Sequence, residues 1–371
     1  MTQTTMTRVP FLDLGAQYLS LKDDIDRAIA ETIRTNKFIL GSDETPFERA
    51  FAAAARVGHA VGCSCGTSAL FIALKALEVP PGREVIVPAM TYPATAEAVS
   101  AAGAVPVPVD VESDTGLIDL AAIERAMTPE TWGIIPVHLY GQMVDMPALA
   151  DLARRHGLQV VEDAAQAHVA ECRGQRAGTL SAAACFSFFP GKNLGAYGDA
   201  GAVVTTDETR GAWMRQYRNH GRTDKYRHDF VGFNFRLDGI QAAVLGAKLP
   251  HLEAWTEARR RVAAAYRKGF AGSGIRCLLE RPYNRHVYHL FVIRHPDRDR
   301  LQERLRERGI DSGMHYPIPL HLQPAFASDR WPAGSLPQAE ALGREVLSLP
   351  VFPEMTDEQI HAVIAEVRAN A

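Results

Sequence analysis

A lysine and an aspartate, Lys192 and Asp163, each follow an apolar stretch of the sequence and could carry chemistry at a buried site. Lys192 comes after the aromatic stretch and Pro-Gly turn of residues 186–191. An amine in apolar surroundings has a lowered pKa and can attack a carbonyl to form a Schiff base. Asp163 ends the apolar stretch 158–163, where its carboxylate could hold a cationic heterocycle nitrogen. The pair predicts a site for an electrophilic ring that contains nitrogen.

Two further segments could hold other parts of such a compound. Residues 65–70, Cys-Gly-Thr-Ser-Ala-Leu, predict a turn from a strand into a helix. The free amides at a helix N-terminus form a ready phosphate site. Tyr92, in the segment 88–95, could lay its ring against a flat cofactor. A Schiff-base lysine, an aspartate for a pyridinium nitrogen and a phosphate cup together indicate a pyridoxal-phosphate site.

Two competing phosphate motifs do not match. A P-loop needs a glycine five residues before its Gly-Lys pair and a serine or threonine after it. Here Phe186 stands at the glycine position and Asn193 follows Lys192. No Gly-x-Gly-x-x-Gly opens a helix after a predicted strand either. The sequence therefore does not predict a nucleotide-fingerprint site.

The elements that must position these residues alternate from about residue 57 to 247. Apolar runs predict strands at 84–88, 105–109, 133–137, 158–161, 184–188 and 201–205. Amphipathic patterns predict helices at 68–77, 95–102, 117–127 and 146–156. Such alternation indicates an α/β fold with a mostly parallel central sheet covered on both faces. In such sheets the chemistry gathers at the carboxyl ends of the strands.

A smaller unit is predicted beyond this sheet. Residues 238–270 form one long helical pattern, which Pro250 interrupts. Further patterns predict strands at 287–294 and 347–351 and helices at 298–308 and 358–368. We expect a large domain over residues 1–250 and a smaller C-terminal α+β domain over residues 251–371. About the first 20 residues are expected to pack on the small domain.

The composition is that of an ordinary packed globular protein. The 371 residues include 40 Lys and Arg against 43 Asp and Glu, a net charge of −3, and 47% are hydrophobic. This near-neutral charge balance does not favour binding to a nucleic-acid polymer or an anionic membrane. No apolar run has the length of a membrane helix. Five cysteines without a signal peptide favour the cytoplasm, and the lone Cys63-x-Cys65 pair does not indicate a zinc site.

Eight segments in one order carry a resemblance to a known family. They are Gly-Thr-x-Ala-Leu at 66–70, His-Leu-Tyr-Gly at 138–141, Glu-Asp-Ala-Ala-Gln-Ala-His at 162–168, Phe-Ser-Phe-Phe-Pro-Gly-Lys-Asn-Leu-Gly at 186–195, Gly-Asp-Ala-Gly at 198–201, Asn-x-Arg-Leu-Asp at 234–238, Gln-Ala-Ala at 241–243 and His-Tyr-Pro at 315–317. Together they resemble the DegT/DnrJ/StrS family of sugar aminotransferases. The resemblance runs from residues 9–14 to 347–350. It implies the aspartate aminotransferase architecture, the fold type I of pyridoxal-phosphate enzymes.

The resemblance implies roles for the residues that would surround the cofactor ring. Lys192 would bind pyridoxal phosphate covalently and shuttle a proton between cofactor and substrate carbons. Asp163 would keep the pyridine nitrogen protonated. Gln166 would touch the ring hydroxyl, and Tyr92 would stack on the ring face. Lys192 and Asp163 are thus the expected catalytic residues.

The resemblance also implies the contacts around the phosphate and the substrate. Gly66, Thr67 and Ser187 would hold the phosphate of the cofactor. Asn234 would reach that phosphate from the neighbouring subunit, because the family's sites lie at a homodimer interface. The candidate substrate contacts are Arg236, His315 and Tyr316.

The implied function is an aminotransferase that moves the amino group of L-glutamate to a nucleotide-linked keto-sugar, through the pyridoxamine phosphate form of the cofactor. Residues 190–201 are most similar to members that aminate C3 of a dTDP-linked 3-keto-6-deoxyhexose. The alternatives are a 4-keto sugar, a UDP- or GDP-linked sugar, a cyclitol ketone, another pyridoxal-phosphate reaction such as dehydration, and a catalytically silent cofactor-binding regulatory protein. Lys192 favours transamination, since the family's dehydratase branch has histidine there.

Three places depart from the family pattern. After Tyr92 come Pro93 and, at 96–97, Ala-Glu where the family often has bulkier residues, which bears on sugar contacts there. Cys65 stands where the family usually has serine before the Gly-Thr of the phosphate turn. The change costs little if backbone amides bind the phosphate. Val169 follows His168 where close relatives often have glycine, so the local backbone is expected to differ.

Overall fold

The computed structural model describes residues 8–41 and 44–371. Its strands are β1 His59–Cys63, β2 Glu84–Pro88, β3 Val105–Val109, β4 Thr131–Ile134, β5 Gln159–Asp163, β6 Glu171–Cys172, β7 Gln175–Arg176, β8 Ala183–Ser187, β9 Gly201–Thr205, β10 Arg276–Cys277, β11 Asn284–Arg285, β12 Phe291–Arg294 and β13 Val346–Leu349. Seven of them form one sheet in the order β1-β9-β8-β5-β4-β2-β3.

The helices surround this sheet and continue into the C-terminal part of the chain. They are α1 Leu14–Thr35, α2 Glu44–Ala55, α3 Gly66–Ala76, α4 Ala94–Ala101, α5 Leu120–Ala126, α6 Met146–His156, α7 Glu208–Tyr217, α8 Gly239–Lys248, α9 Leu252–Phe270, α10 Arg298–Glu307, α11 Pro337–Glu345 and α12 Asp357–Asn370. Within the described ranges, no helix combines the length and the apolar character that crossing a bilayer requires.

The central sheet is mostly parallel, as the sequence predicts. Only β9 is reversed: it pairs antiparallel with β1 on one side and with β8 on the other. The remaining neighbours pair in parallel. Parallel strands need crossover connections. Helices α3 to α6 provide them as far as β5, and the segment that contains β6 and β7 leads from β5 to β8.

Both faces of the sheet are buried, which explains why its strands are mostly apolar rather than alternating between apolar and polar residues. Alternate side chains of β2 illustrate the two faces. Val85 and Val87 pack in the cluster beneath α3 and α4, whereas Ile86 packs in the larger cluster on the opposite face. All three side chains are fully buried.

The C-terminal part is a second α+β layer. β10, β12 and β13 form an antiparallel sheet, and Tyr266, Phe291 and Val363 lie in the apolar cluster between this sheet and its helices. Val9 also lies in this cluster and pairs in parallel with Ile310. The larger cluster, however, continues from the central sheet into this part of the chain. The division into domains at residue 250 stays a prediction.

Most predicted elements are present with small shifts at their ends. The strands predicted at 84–88, 105–109 and 201–205 match β2, β3 and β9 residue for residue, and the helix at 146–156 matches α6. The long pattern 238–270 is two helices, because Pro250 lies in the 3-10 turn between α8 and α9. The patterns did not predict α1, α2, α7, α11 or the small sheet of β11, β6 and β7.

Candidate active site

Several strands bring residues to one edge of the central sheet, which we call the site edge. β5 ends there at Asp163, β8 at Ser187 and β1 at Cys63. Because β9 is reversed, its first residue, Gly201, lies at the same edge and pairs with both Cys63 and Ser187. The connection 188–200 therefore leaves the sheet and returns to it at the site edge, and it carries Lys192.

Lys192 is half-buried, and its backbone N–H donates to the Phe189 carbonyl at 2.8 Å. Burial lowers the pKa of its amine to about 8, although the Asp163 carboxylate opposes the shift. Among the described residues, the ammonium group has neither a hydrogen bond nor an ion pair. An amine with this pKa and without a committed partner is suited to attack a carbonyl.

Asp163 is 6% exposed, and both of its carboxylate oxygens are held. Thr95 Oγ1 donates to Oδ2 at 2.8 Å, and the Ala165 N–H donates to Oδ1 at 3.1 Å. Burial raises the pKa of this carboxyl, while the two hydrogen bonds and the charge of Lys192 oppose the rise. Each oxygen retains a lone pair, so the carboxylate can accept one more charged donor.

The turn into α3 places free backbone amides beside Ser187, an arrangement that we call the phosphate cup. Cys65 caps the helix: its thiol accepts the Ser68 N–H at 3.4 Å, and the Ser68 hydroxyl accepts the Cys65 N–H at 3.0 Å. The first-turn amides of Gly66 and Thr67 have no acceptor within the helix. A Cβ on Gly66 would lie 2.8 Å from the Ser187 Cβ, so the glycine leaves space beside Ser187. Two amides and a hydroxyl facing this space form a donor set that fits a phosphate.

Gln166 is buried, and its amide orientation is fixed by its neighbours. The Tyr140 backbone N–H donates to Gln166 Oε1 at 2.6 Å. A backbone N–H can only donate, so the amide oxygen must face it. Gln166 Nε2 then donates to the Tyr316 hydroxyl at 3.1 Å and keeps a second N–H. Gln166 therefore offers a donor, not an acceptor, to the site.

Tyr92 and Tyr316 form an aromatic pair above this edge. Their ring centroids are 5.8 Å apart with the planes tilted by 50°. Tyr92 is 58% exposed, whereas burial raises the pKa of Tyr316 and keeps it protonated. An exposed ring beside a buried site is suited to cover a flat ligand.

His315 is held beside Lys192 rather than free. Its Nδ1 is 2.9 Å from the Ser348 hydroxyl, and its ring stacks on Phe11 at 5.8 Å. Burial, and next the charge of Lys192, lower the pKa of His315 to about 4. The imidazole is consequently neutral near pH 7 and adds no positive charge beside Lys192.

Asn234 and Arg236 lie on the far side of the phosphate cup. The Phe235 carbonyl accepts the Ser64 N–H at 3.0 Å, which brings this segment next to the turn into α3. Asn234 is exposed. Arg236 donates to Asn219 Oδ1 at 3.1 Å, and its Nε is buried without a partner among the described residues. In this single chain neither residue contacts the groups around Lys192.

A family model decides the identity of this arrangement. The model of the DegT/DnrJ/EryC1/StrS aminotransferase family matches residues 19–368. The chain belongs to this family. It is therefore an aminotransferase with the α/β architecture of that family.

Curated relatives cover nearly the whole chain. The dTDP-3-amino-3,4,6-trideoxy-alpha-D-glucose transaminase of Streptomyces venezuelae is 49% identical over 97% of this chain and 96% of its own. A pleiotropic regulatory protein of Geobacillus stearothermophilus is 48% identical over 97% of each chain. The UDP-N-acetyl-3-dehydro-alpha-D-glucosamine 3-aminotransferase of Acidithiobacillus ferrooxidans is 46% identical over 98% of each chain.

Solved structures agree with this assignment. The structure of DesV from S. venezuelae, in complex with a ketimine intermediate, superposes with a TM-score of 0.96 at 49% identity and covers 98% of each chain. NtdA from Bacillus subtilis, solved with bound cofactor PMP, superposes with a TM-score of 0.90 at 32% identity. It covers 99% of this chain and 86% of its own.

Sequence reasoning missed several residues that shape this aminotransferase site. Thr95 binds Asp163, and Tyr140 binds Gln166, yet neither was a candidate. Thr95 lies in the singled-out segment 88–95, and Tyr140 lies in the His-Leu-Tyr-Gly segment, so the family segments carried a signal for both. Asn193, next to Lys192, is buried and donates to the Val287 carbonyl at 2.9 Å.

The structure also bears on a serine-hydrolase pattern and on the departures at Cys65 and Val169. Residues 62–66 read Gly-Cys-Ser-Cys-Gly, a serine-hydrolase pattern, but Ser64 Oγ contacts Ser68 Oγ at 3.0 Å and bonds to no histidine in the described ranges. Cys65 supplies a thiol cap in place of a hydroxyl. Val169 adopts φ +56°, the left-handed region that glycine favours, despite its β-branched side chain.

Proposed function

We propose that this family member transfers the amino group of L-glutamate, through pyridoxal phosphate, to C3 of a dTDP-linked 3-keto-6-deoxyhexose. The observation that carries the proposal is the meeting of Lys192, Asp163 and the Gly66–Ser187 cup at one sheet edge. These groups match the three parts of pyridoxal phosphate: an aldehyde, a ring nitrogen and a phosphate. When bound, this cofactor supplies an electron-withdrawing ring that weakens the C–H bond of the carbon bearing the amine.

Lys192 acts as the base and acid of the reaction. Its amine takes a proton from the α-carbon of glutamate and, in the second half, returns a proton to C3 of the sugar. The pKa of about 8 suits both tasks, because it lies close to neutral pH and balances the amine and ammonium forms. The lack of a fixed hydrogen bond leaves the side chain free to move between those positions.

Asp163 holds the proton on the pyridine nitrogen. The Thr95 hydroxyl and the Ala165 N–H orient its carboxylate, and one lone pair of each oxygen stays available. Burial strengthens the pairing of this carboxylate with a pyridinium cation, because little water screens it. Gln166 donates its second amide N–H to the ring oxygen and thereby stabilises the oxyanion form.

The phosphate contacts imply a dimer. The Gly66 and Thr67 amides and the Ser187 hydroxyl bind part of the phosphate, and Asn234 of the partner subunit completes the site. This arrangement agrees with the exposure of Asn234 in the single chain. We therefore propose a homodimer with two shared sites.

The five cysteines of the chain are free, which suits the reducing cytoplasm.

The relatives support the identity of the aminated sugar carbon more strongly than they support the identity of the nucleotide. The names of the relatives at 49% and 46% identity both carry position 3, but one substrate is linked to dTDP and the other to UDP. Arg236, His315 and Tyr316 are the proposed substrate contacts. A neutral His315 can donate to or accept from a sugar hydroxyl without adding charge.

A spectrum tests the first half of the proposal. Purified protein with pyridoxal phosphate should show the visible absorption band of the lysine-bound cofactor, and L-glutamate should bleach it with release of one 2-oxoglutarate per site. A protein that binds no cofactor would contradict the proposed site. Parallel assays with dTDP- and UDP-linked 3-keto and 4-keto sugars, and with a cyclitol ketone, then identify the acceptor by its kcat/KM.

A second candidate is a regulatory protein that binds the cofactor without turnover, and the name of the relative at 48% identity favours it. The uncommitted Lys192 and the oriented Asp163 argue for turnover instead, since a silent binder needs neither. Formation of the lysine-bound cofactor band without any bleaching by glutamate would support the regulatory candidate.

A further inference from the structure

Tyr140 occupies a strained position next to the site. It lies in the 3-10 turn Leu139–Gly141, is 2% exposed and has φ +62° and ψ −2°. A bulky side chain rarely adopts a left-handed backbone, and such outliers persist only where the surroundings enforce them. The contacts of the Tyr140 side chain and backbone show what enforces this conformation.

Both ends of Tyr140 bind parts of the site that are far apart along the chain. Its backbone N–H donates to Gln166 Oε1 at 2.6 Å, and its hydroxyl donates to the His315 carbonyl. Gln166 Nε2 donates in turn to the hydroxyl of Tyr316, the residue after His315. These bonds close a circuit that joins the turn, the cofactor side and residues 315–316.

The turn itself is anchored from behind the sheet. His138, two residues before Tyr140, is fully buried, and its Nε2 is 2.7 Å from Glu162 Oε2. The His138 backbone N–H also donates to the Asp163 carbonyl at 3.0 Å. The left-handed backbone at Tyr140 is thus fixed on one side by β5 and on the other by its own hydroxyl.

We propose that Tyr140 is a positioning residue that holds residues 315–316 against the site and aligns them with Gln166. This inference rests on the proposed function, in which His315 and Tyr316 contact the keto-sugar. Tyr140 would not touch the substrate; it would set where the two contacts stand. Its loss should weaken binding of the sugar and leave the cofactor side intact, because the backbone N–H to Gln166 survives any change of side chain.

The variant Tyr140→Phe removes only the hydroxyl that holds the His315 carbonyl. Loss of one such bond should raise KM for the keto-sugar about five- to tenfold, with kcat, cofactor affinity and the rate of bleaching by glutamate within about twofold of wild type. Tyr266→Phe is the matched control. Tyr266 is also fully buried in the C-terminal cluster, and its hydroxyl donates to the Pro350 carbonyl at 2.8 Å rather than to residues 315–316. It should leave KM unchanged.

A double-mutant cycle with Tyr316→Phe tests the coupling. If Tyr140 acts through residues 315–316, the double variant should raise KM hardly more than the larger single effect, since both changes disturb one contact. Additive effects, or a KM for Tyr140→Phe within about twofold of wild type, would overturn the proposal. So would an equal rise in KM for Tyr266→Phe, because that would reflect a general loss of stability.

Amide hydrogen exchange tests the positioning without any turnover. In Tyr140→Phe, exchange across residues 313–318 should quicken about fivefold or more, and Tyr266→Phe should leave it unchanged. Unchanged exchange in Tyr140→Phe would refute the positioning role even if the enzyme aminates its sugar. Wild-type protein without activity on any keto-sugar, but with faster exchange in the variant, would refute the proposed function and retain the positioning of residues 315–316.

Discussion

Two lysines of this protein have the same lowered pKa but differ in whether their ammonium groups are hydrogen-bonded. Burial lowers the pKa of Lys248 to about 8, the value also reached by Lys192. Lys248 is fully buried, donates to the Gly195 carbonyl at 2.8 Å and lies 4.0 Å from the centre of the Tyr197 ring. In the described part of the chain, the Lys192 ammonium group has no hydrogen bond or ion pair. A lowered pKa therefore reports burial alone, whereas reactivity also requires an uncommitted nitrogen and access for a substrate.

The two lysines nevertheless belong to one structure. Gly195, which Lys248 holds, lies on the connection 188–200 that carries Lys192. Lys248 reaches it from the last turn of α8. The Lys248 amine holds the connection 188–200 in place, and this connection positions the Lys192 amine at the site edge. Variants at each lysine should separate the two roles.

The largest effect is expected from Lys192→Ala. Loss of the proton-transferring amine should lower turnover by at least about 10³-fold, the upper range for a general acid–base group that also binds covalently. The measurement is single-turnover bleaching by glutamate, followed by 2-oxoglutarate release. Partial rescue by added methylamine would confirm that the missing group is the amine. Multiple turnovers at wild-type rate would contradict the proton shuttle.

Asp163→Asn should come next, with a loss of about 10²–10³-fold in kcat. The neutral amide cannot stabilise a positive ring nitrogen, and removal of one preorganised electrostatic group typically costs this much. The change should slow both half-reactions, which stopped-flow absorbance can follow. Asp151→Asn, an exposed aspartate paired only with Arg154, is the control. Equal rates for wild type and Asp163→Asn would refute the ring-nitrogen role.

The rate at which pyridoxal phosphate attaches to the protein should change about tenfold with pH. Because only the neutral amine attacks the cofactor, and the pKa of Lys192 is about 8, attachment of pyridoxal phosphate to cofactor-free protein should accelerate about tenfold from pH 7 to pH 9 and then level off. Nα-acetyl-lysine, with an amine pKa of about 10.4, should continue to accelerate above pH 9. A protein profile that follows the model amine would show that burial does not tune Lys192.

The smallest effect is expected from Lys248→Met. The variant removes a bond to the connection 188–200 but no group that meets the reacting atoms, so kcat should fall by less than about tenfold. Stability near pH 7 should change little, because relief of a buried charge offsets the unpaired Gly195 carbonyl. Urea unfolding and kcat are the measurements, with the exposed Lys268→Met as control. A loss as large as that of Lys192→Ala would erase the distinction between the two lysines.

The sequence predicted those parts of the site that are local in the chain. Asp163 at the end of an apolar strand and the turn into α3 could be inferred because strand ends and helix starts leave local signals. The Tyr140 circuit could not, since it joins residues near 140, 166 and 315 through side-chain directions that only tertiary packing sets. Lys248 gave no signal either, because lysine is rarely buried and its helical pattern resembles a solvated face.

The direction of β9 was also beyond the sequence. Residues 201–205 predict a strand, but alternation of apolar residues is the same whichever way a strand runs. Its direction depends on the connection 188–200, which has no helix to cross over the sheet. In contrast, β2 to β5 follow helical crossovers, so their parallel pairing could be expected.

The reversed strand also determines where added residues would meet the site. Each crossover after β2, β3 or β4 carries its chain to the opposite end of the sheet, so residues added within those helices lengthen the exterior. Residues added between Ser187 and Gly201 would stay at the site edge, because the connection both begins and ends there, where Ser187 pairs with Gly201. The extra chain would have to bulge over the pocket itself. Changes of length in this connection would therefore act as changes of substrate aperture, whereas residues added within α4, α5 or α6 would not.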